Sequence, residues 1–130
     1  MSGYLLDTSV LIAAETGRPL GPAPEGDARV SVITLAELSM GVHAATESRV
    51  AAREQTLQEA RLFIALPVDE HVADRFAELV VAAKRAGRRA EHLDAMIAAT
   101  ALVHDLTVWT QDAGFDVLAE IEPELRVHRG

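Results

Sequence analysis

Residues 4–14 read Tyr4-Leu5-Leu6-Asp7-Thr8-Ser9-Val10-Leu11-Ile12-Ala13-Ala14, and the fold turns on how this string divides. Tyr4-Leu5-Leu6 is too brief an apolar run for a helix and reads as a strand. Ser9 opens a second run, Val10 to Ala14, that reads as a helix, which leaves Asp7 at the turn. A carboxylate flanked by Leu5-Leu6 and Val10-Leu11 sits where burial is expected, and buried charges need partners.

The same alternation continues downstream. Between Thr16 and Arg29 three prolines and three glycines mark a loop. Val30 to Ile33 follows as a short strand, and Thr34 with Glu37 fits a capping box for a helix from Leu35 to about Ala45. A charged helix runs from Glu47 to about Leu62, and Phe63 to Val68 reads as a buried strand. Asp69 caps a helix with the apolar face Val72, Phe76, Leu79, Val80 and Ala83, which ends near Gly87. Leu93 to His104 is an alanine-rich interior helix, Leu106 to Trp109 a strand, Thr110 to Gly114 a turn, and Leu125 to Val127 an edge strand. Strands alternating with helices of about ten or more residues imply an α/β fold, a mainly parallel sheet covered on both faces. We expect one domain over residues 1–130.

With 49% hydrophobic and 25% charged residues, the chain is globular in balance. The longest central stretch without charge, Ala95 to Val103, falls short of the roughly 20 apolar residues a bilayer span requires. No basic segment precedes Asp7 to suggest a secretory signal, so a cytoplasmic protein is expected, without a membrane partner. Because there is no cysteine, any metal must be held by oxygen or imidazole. The net charge of −8 argues against binding nucleic acid through bulk charge. A local basic patch does exist: Lys84, Arg85, Arg88 and Arg89 surround Gly87, where they also suit the solvated end of a helix.

In an open parallel sheet the reactive crevice lies beyond the carboxyl ends of the strands. Asp7 ends the first strand, Asp112 follows the strand through Trp109, Asp94 stands at the start of the alanine-rich helix, and Glu37 lies one turn after Ile33. Carboxylates that converge in this way repel unless a divalent cation neutralises them. Each has an ordinary alternative as well: Asp94 as a helix cap, Glu37 as the partner of Thr34, Asp112 as a turn residue beside Gly114. His43, His71, His92, His104 and His128 share no ligand spacing and read as structural or surface residues.

Four strings carry a family resemblance: LLDTSVLI from Leu5, TLAEL from Thr34, LDAMIAATAL from Leu93 and VWTQDAGFD from Val108. In this order they resemble the acidic motifs of PIN-domain proteins, above all the VapC toxins of bacterial VapBC toxin–antitoxin pairs. The resemblance implies a three-layer α/β/α sandwich and an endoribonuclease that uses Mg²⁺, or Mn²⁺ in its place. It assigns Asp7, Glu37, Asp94 and Asp112 to catalysis and metal binding, with Ser9 and Thr110 as supporting hydroxyls. One departure stands at Gly114, where related toxins often carry a further acidic residue. Asp116, two residues beyond, is the candidate supporting carboxylate on that side, and with fewer oxygen ligands there one or two metal ions are left open. Lys84, Arg85, Arg88 and Arg89 are candidates for flanking RNA phosphates. A homodimer and a small VapB-like antitoxin whose C-terminal segment covers the active site are implied as partners.

Two other phosphoryl-handling folds fail at named positions. A receiver domain wants an adjacent acidic pair after its first strand, where Thr8 follows Asp7, and a lysine near the end, whereas the only lysine is Lys84. A haloacid-dehalogenase-type phosphatase wants a second aspartate where Ser9 stands. A PIN-like module that binds a partner without cleaving RNA is the non-enzymatic alternative that Gly114 leaves open.

Overall fold

The computed structural model describes residues 3–130. Its elements run β1 (Gly3–Leu6), α1 (Thr8–Thr16), β2 (Ala28–Ser31), α2 (Val32–Ala44), α3 (Val50–Ala60), β3 (Ile64–Leu66), α4 (Glu70–Arg85), α5 (His92–Val103), β4 (Leu106–Thr110), α6 (Gly114–Ile121) and β5 (Val127–Arg129). The five strands form one sheet in the order β3-β2-β1-β4-β5, with every neighbouring pair parallel. Central β1 pairs with β2 through Tyr4 and Ala28, and with β4 through Leu6 and Trp109. Successive side chains of a strand point to opposite faces, so Leu5 and Leu6 serve different layers. Leu5 and Val108 join Leu79 of α4, Ile97 of α5 and Phe115 of α6, while Leu6 and Trp109 pack with Val10 of α1. Leu38 of α2 and Leu57 of α3 extend this second face. The result is the expected three-layer α/β/α sandwich, and among the described residues no helix is long and apolar enough to cross a membrane.

Several local expectations change. Helix α2 begins at Val32 because Ser31 Oγ accepts the Ile33 N–H at 3.0 Å, so the expected box between Thr34 and Glu37 does not form. Thr34 is buried inside the helix, and the Glu37 carboxylate is left for other partners. At the start of α5 the cap is Glu91 rather than Asp94, and it accepts from the N–H groups of Leu93 and Asp94. Strand β3 is an edge strand with Ile64 59% exposed, not a buried one. The turn after β4 leads into α6, a helix the sequence pattern had not suggested, and β5 is displaced to Val127–Arg129 while Leu125 enters the core. Gly87, at φ 69°, closes α4 as expected.

Candidate active site

Parallel pairing brings the ends of β1 and β4 side by side, and the Asp7 N–H donates to the Trp109 carbonyl at 2.9 Å. Asp7 is only 2% exposed and caps α1. Its Oδ2 accepts from Ser9 Oγ at 2.7 Å and Thr110 Oγ1 at 2.8 Å, with the Ser9 N–H more distant at 3.4 Å. Each hydroxyl in turn accepts a backbone N–H, Ser9 from Gln111 at 2.9 Å and Thr110 from Asp112 at 2.9 Å. These bonds fix the loop that carries Asp112 to the position of Asp7. They converge on Oδ2, so among the described residues Oδ1 takes no hydrogen bond. Burial pushes the Asp7 carboxyl above its ordinary pKa, the Ser9 and Thr110 donors draw it partly back, and the Asp112 charge pushes it up again.

Glu37, released from capping, accepts the Thr8 hydroxyl on Oε1 at 2.7 Å. Its pKa is raised by burial first, offset by that donor, and raised further by Asp7, Glu91 and Asp112. Asp94 differs from both. Burial and the charges of Asp7, Glu91, Glu37 and Asp112 all push it in one direction, to about 7. No side-chain donor among the described residues compensates it. The four carboxylates therefore share one electrostatic neighbourhood at the carboxyl end of the sheet, with Glu91 as a fifth. Sequence reasoning missed Thr8 and Glu91; Glu91 was discoverable as a cap three residues before Asp94.

Among the described residues no three of these side chains, as placed, stand close enough to enclose an ion. Mg²⁺ keeps several of its waters and takes only one or two carboxylates directly, so an open arrangement suits it. The donor set is one that a hard divalent cation fits: it offers only oxygen atoms, and among the described residues neither the Asp94 carboxylate nor Asp7 Oδ1 takes a side-chain hydrogen bond.

Asp116, half exposed, pairs with Arg129 at 2.8 Å. Lys84, Arg85, Arg88 and Arg89 are all exposed, and Arg88 pairs with Glu120 at 2.6 Å. Arg89 lines a cavity of about 470 Å³ with Glu91 and His92, just before Asp94. Arg18, Gln111, Asp112 and Arg129 line a second cavity of about 470 Å³. Arg18 and Arg129 carried no sequence signal, because only the fold brings the end of α1 and the chain terminus beside Asp112.

The hydroxyl of Thr110 can be tested directly. Thr110→Val keeps the shape but strands the Asp112 N–H and removes a donor from Asp7, so urea unfolding should show a loss of about 1–3 kcal/mol. Thr110→Ser should recover most of it. An equal loss in both variants would assign Thr110 to packing alone.

Residues 4–121 match the PIN domain family. The chain is 42% identical over 116 residues to ribonuclease VapC5 of Mycobacterium tuberculosis, covering 88% of this chain and 86% of that protein. It is 38% identical over 120 residues to ribonuclease VapC4 of the same organism, covering 91% and 92%. Among solved structures, the VapBC-5 toxin–antitoxin system of Mycobacterium tuberculosis superposes with a TM-score of 0.84 at 34% identity, over 100% of both chains. FitAcB of Neisseria gonorrhoeae superposes with a TM-score of 0.74 at 32% identity, over 97% of this chain and 96% of that one.

Proposed function

The chain belongs to the PIN-domain family, alongside its VapC ribonucleases, and we propose that it is the RNA-cleaving toxin of a type II toxin–antitoxin pair, with Asp7, Glu37, Asp94 and Asp112 as its catalytic centre. The observation that carries the chemistry is Asp94, a half-buried carboxylate pushed to about 7 with no side-chain donor among the described residues to offset its charge. Asp7 through Oδ1 and Asp94 would hold a Mg²⁺ or Mn²⁺ ion, with Glu37 and Asp112 completing the set. Bound there, the ion supplies Lewis acidity to a phosphoryl oxygen and acidifies water for in-line attack.

The chain's own residues do the positioning. Ser9 and Thr110 lock Asp7 in one orientation, so its free oxygen points without rotational searching. Thr8 holds Glu37 by Oε1 and leaves Oε2 to orient the attacking water. Exposed Asp112, tethered through its N–H, meets the substrate at the rim. An RNA strand crosses an acidic centre only if cations hold its flanking phosphates, and Arg89, which shares a cavity with Glu91, and Arg18, which shares one with Asp112, would do so. A single tryptophan and a single tyrosine leave little for base stacking, which favours recognition by shape and phosphate.

Relatives solved as toxin–antitoxin complexes support a small antitoxin as the partner. Met40, Leu62 and Ile64 are exposed apolar side chains that a second copy would cover, in keeping with a homodimer, and the proposed action on RNA is cytoplasmic. Sedimentation of the isolated chain tests the dimer.

The decisive experiment is cleavage of RNA with Mg²⁺ or Mn²⁺ beside an Asp94→Asn control. Equal cleavage by both proteins, or none by the wild type free of antitoxin, would sink the catalytic assignment. The arginines make a separate prediction. In a cleavage-dead Asp94→Asn background, Arg18→Gln and Arg89→Gln should each weaken RNA binding and flatten the slope of log affinity against log salt by about 0.7. A variant that keeps the parental slope removes that arginine from the RNA path. Arg85→Gln and Arg88→Gln serve as the comparison pair, because Arg88 is already engaged by Glu120.

A further inference from the structure

Gly114 opens α6 and faces Asp94 across the site. A Cβ built at Gly114 would stand 2.8 Å from Asp94 Oδ2, closer than real Cβ contacts come. The backbone does not explain the glycine: among the described residues the positive-φ glycines are Gly17, Gly26, Gly87 and Gly130, and Gly114 has helical geometry that any L residue adopts. A glycine at the first turn of a helix also sacrifices helix propensity, so the side chain's absence serves something else. What occupies the space is the carboxylate oxygen.

We propose that Gly114 is a positioning residue for Asp94: the missing Cβ is the volume in which the Asp94 carboxylate sits while it faces Asp7, Glu37 and Asp112. This rests on the catalytic assignment above and changes the meaning of the departure at Gly114. The position is not a lost ligand but the space that seats an existing one. An Asp side chain is short and turns about two bonds, so a Cβ at position 114 displaces the carboxylate by rotation and leaves the fold standing. The site then loses its ligand geometry while the protein remains intact.

The test is a double-mutant cycle on metal-free protein, combined with Mn²⁺ binding followed by electron paramagnetic resonance. In an Asp94→Ala background the space is empty, and Gly114→Ala should raise the melting temperature by about 2–4 °C, the usual gain for glycine to alanine in a helix. Gly41→Ala, in α2, provides the scale, because its Cβ meets only Arg53 Cδ at 3.8 Å. In the wild-type background Gly114→Ala should gain less or lose, and Mn²⁺ affinity should fall at least about tenfold, whereas Gly41→Ala leaves it unchanged. The same temperature shift in both backgrounds, or Mn²⁺ binding by Gly114→Ala equal to wild type, overturns the proposal. Should the wild type itself bind no Mn²⁺, the metal assignment fails, and the cycle still decides whether Gly114 seats Asp94.

Discussion

Asp94→Asn is expected to leave a folded protein that no longer cleaves RNA, with activity down by about a thousandfold or more, because it removes a carboxylate proposed to hold the metal ion, whose charge stabilisation would be worth several kcal/mol in the transition state. The same substitution should stabilise the metal-free protein at alkaline pH. Asp94 is raised to about 7 in the fold, against 3.8 for the ordinary carboxyl. Its protonated form is therefore favoured by folding: the stability it contributes is complete below about 4 and is lost as pH rises through about 7. Asp7 and Glu37 shift in the same direction. Metal-free wild type should melt at lower temperature at pH 8 than at pH 5.5, and Asp94→Asn should flatten this dependence. Millimolar Mg²⁺ should reverse the wild-type trend, since the ion binds the ionised form that high pH supplies. A wild type whose melting temperature ignores both pH and Mg²⁺ between 5.5 and 8 would contradict a shared carboxylate site.

The sandwich was readable because its decisive signals are local. A three-residue apolar run stopped by Asp7, and an alanine-rich helix followed at once by Leu106 to Trp109, admit few arrangements other than a parallel sheet. The misreadings came from competition between equally good local signals. Ser31 and Thr34 are both fit to cap a helix, and Ser31 prevails because β2 ends there, where the parallel register places it opposite Leu66. Phe63 to Val68 has the composition of a buried strand, yet an edge position leaves Ile64 59% exposed. Whether a strand is central or marginal is a property of the sheet, not of the strand's own residues.

At the site, residue identities were legible and their relations were not. The four acidic motifs pointed to Asp7, Glu37, Asp94 and Asp112, and the structure brings their charges into one neighbourhood. The hydroxyl of Thr8 on Glu37 is invisible in sequence, because it spans 29 positions and depends on Glu37 not capping its own helix. Arg18 reaches the rim of Asp112 only through the fold of the loop after α1. In sequence Gly114 is a missing acidic side chain, and only the fold sets the Asp94 oxygen in the space that side chain would take.

Phe115→Ala carries the second large expected effect, and it falls on stability. Phe115 is fully buried among Leu5, Val108 and Leu118, so its truncation opens a cavity in the layer shared by α4, α5 and α6. Losses of this kind run to about 3–5 kcal/mol, a large part of the 5–15 kcal/mol typical of a whole domain. Leu62→Ala, at a side chain 86% exposed, should change stability by less than about 0.5 kcal/mol and serves as the comparison. Because Phe115 adjoins Gly114, the damage should not stay in the core. A loosened α6 frees the residue that seats Asp94, so at low temperature, where the variant is still folded, Mn²⁺ affinity should fall as well. Urea midpoints and Mn²⁺ binding measured on the same samples separate the two effects. A loss below about 1 kcal/mol would show that α6 is not a cooperative part of the core, and full Mn²⁺ affinity in a destabilised but folded variant would uncouple the helix from the site.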